Sequence, residues 1–131
     1  EKTMQTFMEQ EEKSLKKTIL SQIKTKIHSY ASQDKEKKLF CPEEFVTLNH
    51  VVGLLKECNH ICYYCKEETQ IMYEYVREPK QWTLERLDNT YGHNKNNVVI
   101  SCLSCNIRRR TMASEKYVQT KQMAKIIKLD H

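Results

Sequence analysis

Residues 62–65 read CYYC and residues 82–106 read WTLERLDNTYGHNKNNVVISCLSCN, and the fold turns on these two stretches. They contain two Cys-x-x-Cys pairs, Cys62 with Cys65 and Cys102 with Cys105, with 36 residues between them. A two-residue gap lets both sulfurs of one turn point at a single ion, and the long intervening segment brings the second pair round in space. The four thiolates are therefore expected to form a closed, tetrahedral Zn2+ site of the structural type. In so small a chain, such an ion contributes folding energy directly. Six cysteines in a secreted protein would suggest three disulfides, but nothing in this sequence signals secretion, and the doubled spacing argues against free or disulfide-paired thiols. A redox role fits less well still, since neither pair lies in a βαβ setting. Cys58 and His60 are surplus to a filled tetrahedron, and Cys41 reads as a small buried hydrophobe.

Working outward, residues 70–77 (QIMYEYVR) and 82–87 (WTLERL) both alternate, and with Glu78 and Pro79 as the turn they predict a β-hairpin. Residues 88–97, with four asparagines and Gly92, read as a loop, and Val98, Val99 and Ile100 as a short apolar run into the second pair. Residues 106 to about 129 look helical. At the other end, Met4, Phe7, Met8, Leu15, Ile19, Ile23, Ile27 and Tyr30 follow helical spacing over residues 3–30, with Lys24 and Lys26 falling mainly on the polar side. The stripe thins at Glu11 and Glu12, where the helix leaves the core or forms a partner surface. Residues 32–38 (SQDKEKK) read as a solvated connector. A second helix is expected over about 43–57, with Pro42 at its start, Glu43 and Glu44 in its first turn, and Gly53 at a close packing contact.

The chain has 131 residues, a net charge of +5, 39% hydrophobic and 30% charged side chains, which supports one modest core under a charged surface. Two glycines and two prolines are too few turn residues for a sandwich or propeller. With no stretch long enough to span a membrane and no secretory signal, the protein is expected to be soluble and intracellular, in a reducing compartment, nuclear or cytoplasmic. The expected fold class is α+β, a small zinc-stapled core with a β-hairpin flanked by N- and C-terminal helices. Residues 1–40 form the amphipathic helix and connector, and residues 41–131 the zinc domain with its C-terminal helix.

The order of these features resembles the HNH endonuclease family, in particular its zinc-bearing ββα-metal, treble-clef-like members, among them phage homing-type nucleases and Holliday-junction resolvases. The resemblance runs from about Cys62 to Arg110, somewhat over a third of the chain. It is carried by the four cysteines, the Leu-acidic-x-hydrophobic step of Leu84, Glu85, Arg86 and Leu87, the Asn-Val-Val of residues 97–99, and Asn106 directly after the last cysteine. It implies metal-dependent hydrolysis of DNA phosphodiester bonds. Glu85 and Asn106 match the positions that hold one catalytic Mg2+ or Mn2+ ion, and Glu in place of the family's Asp retains a hard oxygen donor. Asn97 matches the asparagine that pins the loop by hydrogen bonds.

The family's general-base histidine directly follows the acidic residue, and Arg86 stands there instead. A guanidinium cannot take a proton from water near neutral pH. His93, in the intervening loop, is the leading replacement, and Asp88 is the second candidate if the strand runs on past Arg86. Arg86 then clamps a phosphate or neutralises charge in the transition state. In the plainer reading His93 sits at a loop tip and Arg86 is a surface cation. Residues 101–128 carry seven basic side chains, among them Arg108, Arg109, Arg110 and Lys116, against Glu115 alone, a cluster expected to meet a nucleic-acid backbone. Two further readings stay open. One is a catalytically inactive HNH-like zinc module binding nucleic acid or a protein. The other is an assembly domain whose N-terminal helix docks on a protein partner or the rest of a larger polypeptide.

Overall fold

The computed structural model describes residues 2–109. In chain order these form α1 (Lys2–Glu36), α2 (Leu48–Glu57), β1 (Trp82–Arg86), β2 (Val98–Cys102) and α3 (Leu103–Arg109), an α+β arrangement. The strands make one two-stranded antiparallel sheet, with Trp82 opposite Cys102 and Arg86 opposite Val98.

The hairpin that forms is β1 with β2, and its connecting loop is residues 87–97. Residues 70–77 are not a strand: only Gln70 bridges, to Gln81, and Tyr75 and Val76 stand exposed. The outer edge of β1 is already occupied by side chains of α1. The Tyr30 hydroxyl accepts from the Leu84 amide at 3.0 Å, and Lys26 Nζ donates to the Trp82 carbonyl. A third strand has no ladder left to join. Lys26, expected on the polar face, also donates to Gln81 Oε1 at 3.0 Å and lies over the Trp82 and Tyr73 rings, and burial pulls its pKa down to about 8.

Alternation along the sheet separates two environments. Trp82, Leu84, Val98 and Ile100 join Ile23, Val46, Val51 and Leu55 in the main core, with Ile19, Ile27, Tyr30 and Phe45 packed against it. Thr83 and Glu85 instead meet α3, through Asn106 and Arg109. The apolar stripe of α1 thus divides: Ile23 is buried, whereas Met4, Phe7, Met8 and Leu15 are exposed.

Helix boundaries differ from expectation for identifiable reasons. α1 runs through the expected connector to Glu36, since residues 32–36 contain neither Gly nor Pro, and it ends where Lys38 adopts φ 60° and the Leu39 amide reaches back to the Asp34 carbonyl at 2.8 Å. α2 starts at Leu48, not near 43, because Thr47 caps it, accepting from the His50 amide at 3.2 Å. Residues 44–46 are pulled aside to pair with the 87–97 loop, where Lys95 donates to the Glu44 carbonyl at 2.9 Å and Val46 to the His93 carbonyl at 3.1 Å. α3 begins at Leu103, three residues earlier than Asn106, and the expected continuation to about 129 lies outside the described residues. Among the described residues no helix is long and apolar enough to cross a membrane.

The close packing contact expected at Gly53 is found instead at Gly92, in the loop. Nothing lies within 4 Å of a Cβ built on Gly53, whereas one on Gly92 would meet Asp34 Oδ2 at 2.6 Å and the Leu39 carbonyl oxygen at 2.8 Å. Gly53→Ala should therefore stabilise the chain by about 0.5–1 kcal/mol through helix propensity. Gly92→Ala should destabilise it by about 1–3 kcal/mol through overpacking against groups that cannot retreat. Urea midpoints of the two variants, read side by side, test both signs.

Candidate metal centre and adjoining cavity

The first Cys-x-x-Cys pair sits in a tight turn after α2. The Cys62 amide donates to the Glu67 carbonyl at 2.8 Å, Lys66 takes φ 62° to close the turn, and the Tyr63 amide donates to the Ile100 carbonyl at 2.8 Å, which ties the turn to β2. The second pair spans the junction of β2 and α3, where the Cys105 amide points at Cys102 Sγ, 3.4 Å away. The sequence folds this way locally because the strand ends at Cys102 and the first turn of α3 carries Cys105 back over it.

All four sulfurs lie within 4.8 Å of one another, with Cys65 Sγ and Cys102 Sγ 4.0 Å apart. Zinc–sulfur bonds of about 2.3 Å place tetrahedral sulfurs about 3.8 Å apart, so the donor set and its spacing suit the ion. Burial pushes the Cys65 thiol up to about 11, and the neighbouring sulfurs add to the rise. These four cysteines can hold a metal ion such as zinc, whose charge would favour their ionised form. Cys58 and His60 stay outside: Cys58 Sγ faces the Leu55 carbonyl at 3.8 Å, and His60 Nδ1 lies 3.3 Å from the Thr69 carbonyl oxygen. Cys41 is half-buried and no part of the cluster.

Beside this centre, between the end of α1, β1 and α3, opens a cavity of about 690 Å³. Its lining brings together Glu85, Arg86, His93 and Asn106, with Tyr30 and Lys37 on the α1 side. His93 is buried, so it is not a loop-tip residue. Its ring stacks on Tyr30 with centroids 4.6 Å apart, and Nδ1 lies 2.7 Å from Asp34 Oδ1. Burial holds its pKa below the ordinary 6.5, with Asp34 pulling the other way and Arg86 and Lys37 adding to the depression.

Asn97 ties the loop together. Its Oδ1 accepts from the Asp88 amide at 2.9 Å, and its Nδ2 donates to the Asp88 and Gly92 carbonyls at 2.9 and 3.0 Å. Arg86 Nη1 adds donations to the Asn89 and Tyr91 carbonyls at 3.2 and 3.1 Å. Asp88 falls outside the cavity lining, because β1 ends at Arg86 and the chain turns away. Its exposed carboxylate accepts from the Thr90 amide and hydroxyl at 2.9 and 2.6 Å, which holds its pKa down and leaves it a weak base.

Glu85 and Asn106 both reach the cavity, each with one end engaged. Asn106 Nδ2 donates to Thr83 Oγ1 at 3.1 Å, leaving Oδ1 as its available oxygen. Glu85 Oε1 pairs with Arg109 Nη1 at 2.9 Å, while its buried Oε2 has no hydrogen-bond partner among the described residues. Burial pushes the Glu85 pKa up to about 7, against the pull of Arg109. Arg109, expected on a nucleic-acid face, is instead 2% exposed: its guanidinium also donates to the Arg86 and Leu87 carbonyls, binding α3 to the end of β1. Arg108 is exposed on α3, and Arg110 and Lys116 lie outside the described residues.

Sequence reasoning missed Asp34, Tyr30 and the buried role of Arg109. The i, i+4 step from Tyr30 to Asp34, continuing the stripe through Ile23 and Ile27, was the available signal for the first two. Comparison of the chain with protein-family models, with curated proteins and with solved structures finds no match.

Two measurements probe this region. Alkylation of the zinc-loaded chain should spare four of its six thiols until a chelator is added, which should also unfold the domain; six reactive thiols before chelation would refute the four-sulfur site. Arg109→Leu leaves Glu85 buried without its cation and should cost about 3–5 kcal/mol at pH 8. Because the folded-state pKa of Glu85 lies above its unfolded value of 4.5, and rises further without Arg109, the cost should shrink as pH falls from 8 to 5 and the carboxyl takes up its proton. A pH series of unfolding midpoints reads this slope; an unchanged difference between the two chains at pH 5 and pH 8 would contradict it.

Proposed function

We propose that the chain is a metal-dependent endonuclease of the HNH type, hydrolysing DNA phosphodiester bonds at the cavity beside the four-cysteine centre. The observation that carries this reading is the convergence of Glu85, Arg86, His93 and Asn106 on one cavity, with the Glu85 Oε2 atom buried and unpartnered beside it. A carboxylate oxygen and a side-chain amide oxygen are the hard donors that Mg2+ or Mn2+ takes, so Glu85 Oε2 and Asn106 Oδ1 fit such an ion. When bound, the ion supplies positive charge for the scissile phosphate and its leaving oxygen.

The remaining chemistry falls to this chain's own side chains. His93 stands at the cavity with Nδ1 engaged by Asp34, so Nε2 is the atom that accepts a proton from the attacking water. Its depressed pKa keeps the ring neutral, and so able to act as a base, at neutral pH. Arg86 and Lys37 line the same cavity and favour an anionic backbone there. Asn97 holds the loop that carries His93, and Asn106 ties α3 to β1 through Thr83.

A non-catalytic zinc module that binds nucleic acid or protein is the second reading, favoured by the Arg109 ion pair, which already engages half of the Glu85 carboxylate. Supercoiled plasmid with Mg2+ or Mn2+ separates the two. Nicking is expected, with His93→Ala and Asn106→Ala each lowering the rate by about 10²–10⁴-fold while the far-ultraviolet spectrum stays native. DNA retained on the protein but never cut, with Asn106→Ala behaving as the parent, establishes the second reading instead.

A further inference from the structure

Asp34 is fully buried near the C-terminal end of α1, yet both its oxygens are spent on one residue: Oδ2 accepts from the His93 amide and Oδ1 from Nδ1 of the same residue, each at 2.7 Å. We propose that Asp34 is a positioning residue that fixes His93 in the tautomer carrying its proton on Nδ1, and so presents an unprotonated Nε2 to the cavity. This inference rests on the hydrolytic reading of the cavity for its consequence, though not for its geometry.

An ionised carboxylate can only accept hydrogen bonds, so its ring partner must be an N–H, and a neutral imidazole has one. The opposite nitrogen is left with its lone pair. Orientation is fixed independently of protonation. Tyr30 stacks on one ring face, the Val46 amide holds the His93 carbonyl at 3.1 Å, and Asn97 secures the loop through the Gly92 carbonyl. Gly92 is where a side chain would strike Asp34 Oδ2, so the residue before His93 is bare where the carboxylate must come close.

A loop anchor alone would need the amide bond and nothing more. The second oxygen on the ring, together with a ring edge at the cavity shared with Glu85, Arg86 and Asn106, is what an oriented base requires. The charged groups that bear on His93 are Asp34 and Lys37 from the α1 end and Arg86 from β1. Of these only Asp34 favours the imidazolium that forms as the proton is taken.

The test uses the full zinc-loaded chain labelled with 15N. Two-bond nitrogen–proton correlations at neutral pH should show His93 with its proton on Nδ1, and Asp34→Asn should lose that dominance. In plasmid cleavage Asp34→Asn should lower kcat by about 10²–10⁴-fold with little change in KM. It should also move the acidic limb of the pH–rate profile to lower pH, because the anion that raised the His93 pKa is gone. A proton on Nε2 in the parent chain overturns the inference, and so does an Asp34→Asn chain with unchanged tautomer and unchanged acidic limb. The parent measurement needs no variant, so a misfolded Asp34→Asn chain leaves the inference decidable. If the parent binds zinc and cuts no DNA, the hydrolytic reading fails; the tautomer alone then supports the Asp34–His93 pairing or refutes it.

Discussion

Four buried sulfur atoms within 4.8 Å of one another impose a demand on the elements that carry them. As thiolates they would repel, and the buried cluster they form with Tyr64 offers little solvation. A tetrahedral cation held there would convert that repulsion into a set of strong metal–sulfur bonds. The consequence reaches beyond the centre, because the four cysteines sit at the ends of other elements: the turn after α2, the last residue of β2 and the first turn of α3. With these fixed, α3 lies across the sheet, Asn106 meets Thr83, and Arg109 meets Glu85. Among the described residues the main core gathers only eight buried side chains from two helices, two strands and a loop, a modest apolar reserve.

Much of this was legible in the sequence, for a physical reason in each case. The cysteine pairs were legible because metal coordination fixes spacing as well as residue type. Val98, Val99 and Ile100 were legible as an apolar run, though which strand they would pair with was not. Residues 70–77 alternate as well as residues 82–87 do, and alternation says nothing of whether a strand edge is free. Here the outer edge of β1 is taken by Tyr30 and Lys26, 54 and 56 residues away in sequence from the atoms they bond. Long-range contacts of that kind leave no local signature.

The candidate site divides in the same way. Glu85, Asn97 and Asn106 stand out by their place in the motif and His93 as the histidine of the intervening loop, and the structure brings Glu85, Asn106 and His93 to one cavity while Asn97 ties the loop. Asp34 does not stand out, because in SQDKEKK it looks like one more solvated charge. What distinguishes it is burial, which follows from helical phase and from the bare Gly92 opposite. Arg109 misleads for the converse reason. Within a basic run it looks like a surface cation, yet it is the residue of its turn that faces the sheet, where the Glu85 carboxylate and two carbonyl oxygens satisfy its donors.

The second half of α1 works as a ruler. Ile23 in the core, Lys26 on the Trp82 carbonyl, Tyr30 on the Leu84 amide and Asp34 on His93 fall on one helical face. At about 1.5 Å per residue, the first and last stand roughly 16 Å apart along the axis. One inserted residue within that span turns everything beyond it by about 100° and advances it by that single rise, so no local repacking restores all four contacts together. The first half of the helix carries no such obligation, since its side chains from Thr3 to Thr18 are exposed. The same element is therefore open to changes of length and composition at one end and closed to them at the other, with the boundary near Ile19, where the helix first touches the core.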